Sequence, residues 1–139
     1  MRALVIALWI GVAAIVAYWT IWFAIDRDWL ASLHTPAYYV FENAFPLADG
    51  WLVVTAAAAA ITLRANRPSA AFWLIAAGSA GVYLAGMDVL FDLQNGVYSA
   101  PDHAAVATEL VINLCSLGLG VWALAAGWRL SSTRRRDNA

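Results

Sequence analysis

Four long apolar runs dominate this chain of 139 residues. The first holds 23 residues without a charge, and about 20 apolar residues let a helix cross the hydrocarbon core of a membrane. We therefore predict an all-α integral membrane protein that forms one domain over residues 1–130, followed by a disordered tail at 131–139. The predicted spans lie at about 3–25, 47–63, 70–91 and 104–128.

Composition argues against a soluble domain. The chain is 63% hydrophobic and 12% charged, and the charged fraction is about half that of an ordinary soluble domain. The first run is also too long for the core of a signal peptide, which spans roughly 7–15 residues before small residues at a cleavage site. It ends instead in the bulky side chains of Trp22 and Phe23, which favours a retained span.

Charges are sorted to the two ends of the runs. Every arginine except Arg27 falls at one end, and every acid except Asp137 falls at or near the other. Because loops rich in arginine stay in the cytoplasm, this pattern predicts an antiparallel up-down four-helix bundle with both termini cytoplasmic. The lack of lysine, with the alanine-rich stretches, is typical of a high-GC bacterial genome, so we expect the membrane to be a bacterial inner membrane. The short arginine cluster at 134–136 is typical of the cytoplasmic flank of a membrane span, so we expect no nucleic-acid partner.

The longest connection, residues 26–46, contains a signal for a short helix. Thr35 followed by Pro36 supplies an N-cap and a first-turn proline, so a helix is predicted over about 36–43. Its aromatic residues would lie at the headgroup level of the outer surface. We take Glu42 and Asn43 to be polar residues exposed at that surface, and whether segment 36–45 covers a cavity stays open.

Two helix faces carry both small and acidic residues. Steps of three and four place residues on one side of a helix, and small residues mark the sides where membrane helices meet. Charged side chains also turn away from lipid, so the two faces should pack together. The third run contributes Gly78, Gly81, Ala85, Asp88 and Asp92, and the fourth contributes Glu109, Asn113, Ser116, Gly120, Ala123 and Gly127.

The acidic ends of these faces give the candidate ligand-binding residues. They are Asp88, Asp92, Glu109 and Asn113, together with Asp49 at the start of the second span, where an acid also favours the helix dipole. His34 and His103 lie in the loops near these acids without a metal-binding motif, so no metal and no cofactor are predicted. Cys115 lies inside the fourth run, where a thiol is a small packing residue.

These features predict an acidic, aromatic-rimmed cavity open to the outer face, which binds a small amphipathic or cationic ligand. One alternative is an acid/base enzyme of isomerase type, which would need two carboxylates with separated proton affinities. Another is an accessory subunit of a transporter or larger complex, whose small-residue faces would bind a membrane protein or a second copy of the chain. We lean against an enzyme, because the sequence contains no catalytic motif.

In architecture the layout is similar to the four-helix membrane fold of the sterol-isomerase group. That resemblance implies acids turned into an apolar pocket. No motif aligns residue by residue, so the resemblance assigns no role to any residue of this sequence.

Overall fold

The computed structural model describes residues 1–137, with side chains described to Thr133, and this part of the chain is helical without a strand. Two short 3-10 turns, Arg27–Trp29 and Val97–Ser99, lie in the connections. The helices are α1 (Arg2–Ala24), α2 (Pro36–Glu42), α3 (Pro46–Arg64), α4 (Ala70–Asn95) and α5 (His103–Asp137).

Four helical stretches are long and apolar enough to cross a membrane, as the sequence predicted. They correspond to α1, to α2 with α3, to α4, and to α5. Most of their large apolar side chains point away from the bundle, with Leu47 88% exposed and Phe23 65% exposed. Such a surface is costly in water and is suited to lipid.

The last helix is longer than the sequence indicated. Residues 131–137, for which we predicted a disordered tail, continue α5, and residues 138–139 lie outside the described part of the chain. No glycine or proline interrupts this stretch. The hydroxyls of Ser131, Ser132 and Thr133 donate to carbonyls one turn earlier, so these polar residues are compatible with the helix.

Local chemistry sets the helix ends near the connections. The Thr35 side chain accepts a hydrogen bond from the backbone nitrogen of Tyr38, and Pro36 occupies the first turn, which confirms the predicted short helix as α2. At the other connection α4 ends at Asn95 and is capped by Gly96, whose φ of 70° is a left-handed conformation that glycine adopts without strain.

Helices α4 and α5 pack backbone to backbone along a glycine-lined seam. A Cβ placed on Gly78 would lie 2.5 Å from the backbone nitrogen of Leu124, and one on Gly120 would lie 2.9 Å from that of Val82. Gly127 is equally tight, since its Cβ would meet Ile75 at 2.8 Å. Side chains larger than hydrogen do not fit at these points, so the small residues of the two faces are what lets the helices touch.

The remaining core lies among α1, α3, α4 and α5. Leu4 and Leu8 of α1 are buried against alanines of α3 and against Leu74 of α4. These contacts join α1 and α3 to the α4–α5 pair, and the result is a single bundle.

The 26–45 segment, which connects α1 to α3, folds back over one end of the bundle. Its Tyr38 is 1% exposed and packs with Trp22 of α1 in a buried cluster. Phe41 stacks on Phe91 of α4, with ring centroids 3.7 Å apart and planes 8° from parallel. The aromatic residues thereby attach the segment to both α1 and α4.

Candidate functional site

Three carboxylates meet where α4 and α5 approach the 26–45 segment. One oxygen from each of Asp88, Asp92 and Glu109 lies within 4.8 Å of the others, and we call these three residues the acidic triad. Asp92 is 1% exposed and Glu109 7%, while Asp88 is half-buried. The two predicted faces therefore meet, and they bring together three of the five candidate residues.

Asn113, the fourth candidate, lies beside the triad and is 3% exposed. Its side-chain nitrogen donates to Asp92 Oδ2 at 2.9 Å and to the Tyr98 hydroxyl at 3.0 Å. Its amide oxygen is buried and has no hydrogen-bond partner among the described residues. A buried acceptor without a partner costs about 1–3 kcal/mol, so this oxygen is poised for an additional partner.

Glu109 links the triad to the 26–45 segment. The hydroxyls of Ser32 and Tyr38 both donate to its Oε1 atom, Tyr38 at 3.3 Å. The segment therefore covers the triad, and a ligand that reaches Glu109 from this side has to displace these two hydroxyls or share the carboxylate with them.

Asp49, the fifth candidate, is not one of the three residues of the triad. It is half-buried, and its Oδ2 atom accepts a 2.8 Å hydrogen bond from the Trp19 indole nitrogen. This bond ties the start of α3 to α1, which is a structural contact.

Glu42 was not among the predicted site residues and is buried, with 8% exposure. Its Oε2 atom accepts a 3.0 Å hydrogen bond from the Tyr18 hydroxyl. The expectation that Glu42 and Asn43 are merely exposed at a surface is wrong for Glu42, and Asn43, although exposed, accepts a bond from the Trp22 indole. The signal in the sequence was the four-residue step from Tyr38 to Glu42, which places both on one helix face.

Ser32 and Tyr98 are two further site residues that the sequence analysis missed. Each lies in a loop or a short turn, where no periodicity indicates which way a side chain points. Burial, and then the neighbouring Asp92 carboxylate, raise the pKa of Tyr98 to about 12. Its phenol therefore stays protonated at neutral pH, next to Asp92 and Asn113.

The histidines and the cysteine lie away from the triad. His34 and His103 are both exposed, and neither belongs to the group of carboxylates within 4.8 Å. Cys115 is exposed on the apolar surface of α5. Metal or nucleophile chemistry that needs a nitrogen or sulfur ligand at the triad therefore has no candidate among the described residues.

Two shallow apolar grooves also lie outside the triad. One runs between α1 and α3 beside Val16 and Gly50, and the other between α3 and α4 beside Trp51 and Ser79. Neither is lined by an acidic residue, so both are parts of the apolar surface.

The triad brings three carboxylates close together without a compensating positive charge among the described residues. Two unit charges within 4.8 Å repel by at least roughly 3 kcal/mol at an effective dielectric constant of about 20. No arginine in the described part of the chain forms an ion pair with the triad. Arg27, in the 26–45 segment, instead stacks over the Tyr39 ring, 4.4 Å from its centroid. The arrangement therefore favours a positive counter-charge, which no described arginine provides.

Comparisons with protein-family models, with curated proteins and with solved structures give no match. Functional inference consequently depends on the geometry of the site.

Proposed function

We propose that this protein binds a small cationic or amphipathic ligand at the acidic triad. The observation that carries the proposal is the meeting of three carboxylates within 4.8 Å without an arginine partner among the described residues. A positively charged group would relieve their mutual repulsion, and this relief is available to a ligand as binding energy.

The aromatic cluster provides the apolar part of such a site. Trp22, Tyr38 and Phe91 are packed where the 26–45 segment covers the triad. Aromatic faces attract cations and bury hydrocarbon, which suits a ligand with a charged head and an apolar body. In this proposal the segment opens to admit the ligand and closes over it.

The proposal also includes the orientation of the chain in the membrane. Contacts pair Gly78 with Leu124 and, further along, Asp92 with Asn113, which supports antiparallel α4 and α5. Together with the arginine distribution, this favours an up-down bundle with both termini cytoplasmic and the triad near the outer face of a bacterial inner membrane.

Cysteine labelling tests the orientation. Ser99→Cys and Ser69→Cys are both at exposed positions, in opposite connections of α4, and each is made in a Cys115→Ala background. In spheroplasts, a membrane-impermeant maleimide should label the Ser99→Cys variant, and should label the Ser69→Cys variant only after lysis. The reverse order would overturn the orientation and leave the ligand site to its own test.

Thermal unfolding in a neutral detergent tests ligand binding. Hydrophobic ammonium compounds, below their micelle-forming concentrations, should raise the Tm of the wild-type protein, because a ligand at 100 times its Kd stabilises by about 2.7 kcal/mol. Neutral alcohols of the same chain length are the matched ligands and should shift the Tm much less.

Variants connect that stabilisation to the triad. Asp88→Asn and Glu109→Gln should each reduce the shift, whereas Asp102→Asn, which removes an exposed carboxylate near the same end of α5, should keep it. If neither ammonium compounds nor metal cations stabilise the wild-type protein, the proposed function is wrong.

A further inference from the structure

We infer that Asp88, Asp92, Glu109 and Asn113 form an oxygen-ligand site for a divalent metal cation of the size of calcium. The inference rests on the proposed function, because it names the cation that the site accepts. It departs from the sequence analysis, which predicted no metal there.

The donor set specifies the class of metal. Three carboxylates and one amide oxygen are hard ligands, which suit calcium, magnesium and manganese, while zinc and copper sites in proteins use histidine or cysteine. Neither of the latter residue types contributes to the group among the described residues. A hard divalent cation is therefore the expected occupant.

The coordination geometry that each metal requires favours calcium. Calcium–oxygen distances are about 2.3–2.6 Å, so ligands on opposite sides of the ion are about 4.6–5.2 Å apart. The triad oxygens lie within 4.8 Å of one another, which is compatible with a calcium coordination shell. Magnesium needs distances of about 2.0–2.1 Å in near-ideal octahedral geometry and gives up its waters reluctantly, so it tolerates an irregular set of protein oxygens less well than calcium does.

The Asn113 amide provides the independent observation. The Asp92 carboxylate accepts hydrogen bonds but cannot donate one when ionised, which fixes the Asn113 nitrogen towards Asp92 and leaves the amide oxygen as the unpartnered atom. Because this oxygen shares its carbon with the nitrogen that contacts Asp92, it lies close to the Asp92 carboxylate of the triad. A buried carbonyl oxygen near carboxylates can coordinate a cation. A neutral or negatively charged group there would leave the carboxylates without a counter-charge.

The helices hold these donors in place. Asp88 and Asp92 are one turn apart on α4, and Glu109 and Asn113 are one turn apart on α5. The glycine contacts of the α4–α5 seam prevent the helix backbones from moving closer together. Four donors on two helices in fixed contact form a more rigid set than four donors on loops.

Calcium binding to the purified full chain tests the inference. The protein is freed of metal with a chelator, exchanged into neutral detergent, and titrated with calcium chloride alone in equilibrium dialysis with radioactive calcium. We expect one ion per chain and a rise in Tm. Magnesium chloride at the same concentrations should bind at least about 10-fold more weakly.

Four variants locate the ion. Asp92→Asn and Glu109→Gln should weaken calcium binding by at least about 10-fold, and Asp102→Asn should leave it unchanged. Asn113→Asp adds a fourth carboxylate and should tighten it, so the inference is also tested by a gain that a misfolded protein cannot show. The Tm of each metal-free variant shows whether it is folded.

The outcomes separate the two proposals. If ammonium compounds stabilise the wild-type protein but calcium does not bind, the metal site is refuted and the proposed function stands. Calcium binding that is unchanged in both Asp92→Asn and Glu109→Gln also refutes this site, because the ion then lies elsewhere. If neither kind of cation binds, both proposals are wrong.

Discussion

The Tyr38 hydroxyl donates a 3.3 Å hydrogen bond to Glu109, which lies 71 positions away in the sequence. This bond connects the 26–45 segment to α5 directly above the triad. Ser32 donates to the same carboxylate oxygen, so the segment and the site are coupled through one atom. Substitutions in the segment should therefore alter ligand binding at the triad, and substitutions at Glu109 should alter the stability of the segment.

Tyr38→Phe should loosen α2 without unfolding the bundle. A typical hydrogen bond contributes about 0.5–1.5 kcal/mol, so the backbone amides of α2 should exchange with deuterium roughly 2- to 12-fold faster. Mass spectrometry of peptides from the 26–45 segment measures this change. Tyr83→Phe alters the same type of side chain at a position that is 67% exposed, and it should leave exchange in α2 as it is. Equal exchange in all three proteins would show that the Tyr38 bond does not hold the segment.

Tyr18→Phe should destabilise the protein, because Glu42 loses its hydrogen-bond donor while remaining buried. Leaving a buried polar group unsatisfied costs about 1–3 kcal/mol. Chemical denaturation in detergent, followed by circular dichroism, measures the loss. The double variant Tyr18→Phe with Glu42→Gln should recover part of it, since a neutral amide is less costly to bury than an unpaired carboxylate. No loss in the single variant would argue against the buried bond.

Gly78→Ala should disrupt the α4–α5 seam. The new methyl group would lie 2.5 Å from the backbone nitrogen of Leu124, and overpacking of this kind typically costs about 1–3 kcal/mol. Gly86→Ala is the matched control on the same helix, because its Cβ meets nothing within 4 Å. It should change the free energy of unfolding by no more than about 0.5 kcal/mol. The seam would have to be discarded if both variants unfolded at the same denaturant concentration.

Thr35→Ala removes the side chain that caps α2. Loss of a helix N-cap costs about 1 kcal/mol, and the effect should be confined to α2, visible as faster deuterium exchange at Tyr38 and Tyr39. Thr108→Ala is a suitable control, because the Thr108 hydroxyl bonds only within its own helix, to the Ala104 carbonyl. Should both variants exchange like the wild-type protein over α2, the cap contributes nothing measurable.

The sequence predicted those features that depend on helix periodicity. Asp92, Glu109 and Asn113 are buried on the faces that their three- and four-residue spacing indicated, because a helix in lipid has little choice about where it turns a polar group. The same spacing identified Gly78 and Gly120 as contact points, since close helix approach requires small residues.

Features that depend on long-range contacts could not be predicted from helix periodicity. Ser32 lies in a loop and bonds to Glu109, 77 positions away in the sequence. No local sequence pattern predicts that this loop folds back onto α5. Glu42 was misjudged because its neighbours along the chain are typical of a membrane surface, whereas its burial comes from Tyr18 on a different helix. The continuation of α5 past residue 130 was missed because polar composition was taken to mean disorder, although nothing in it breaks a helix.

The backbone contact at Gly78 also determines whether water or an ion can pass between α4 and α5. Where a glycine touches the opposite backbone, no space is left for even a single water molecule between α4 and α5. An ion at the carboxylates therefore has no path along this interface past Gly78. For the proposed ligand site, this closed seam favours binding and release over passage of the ligand between α4 and α5.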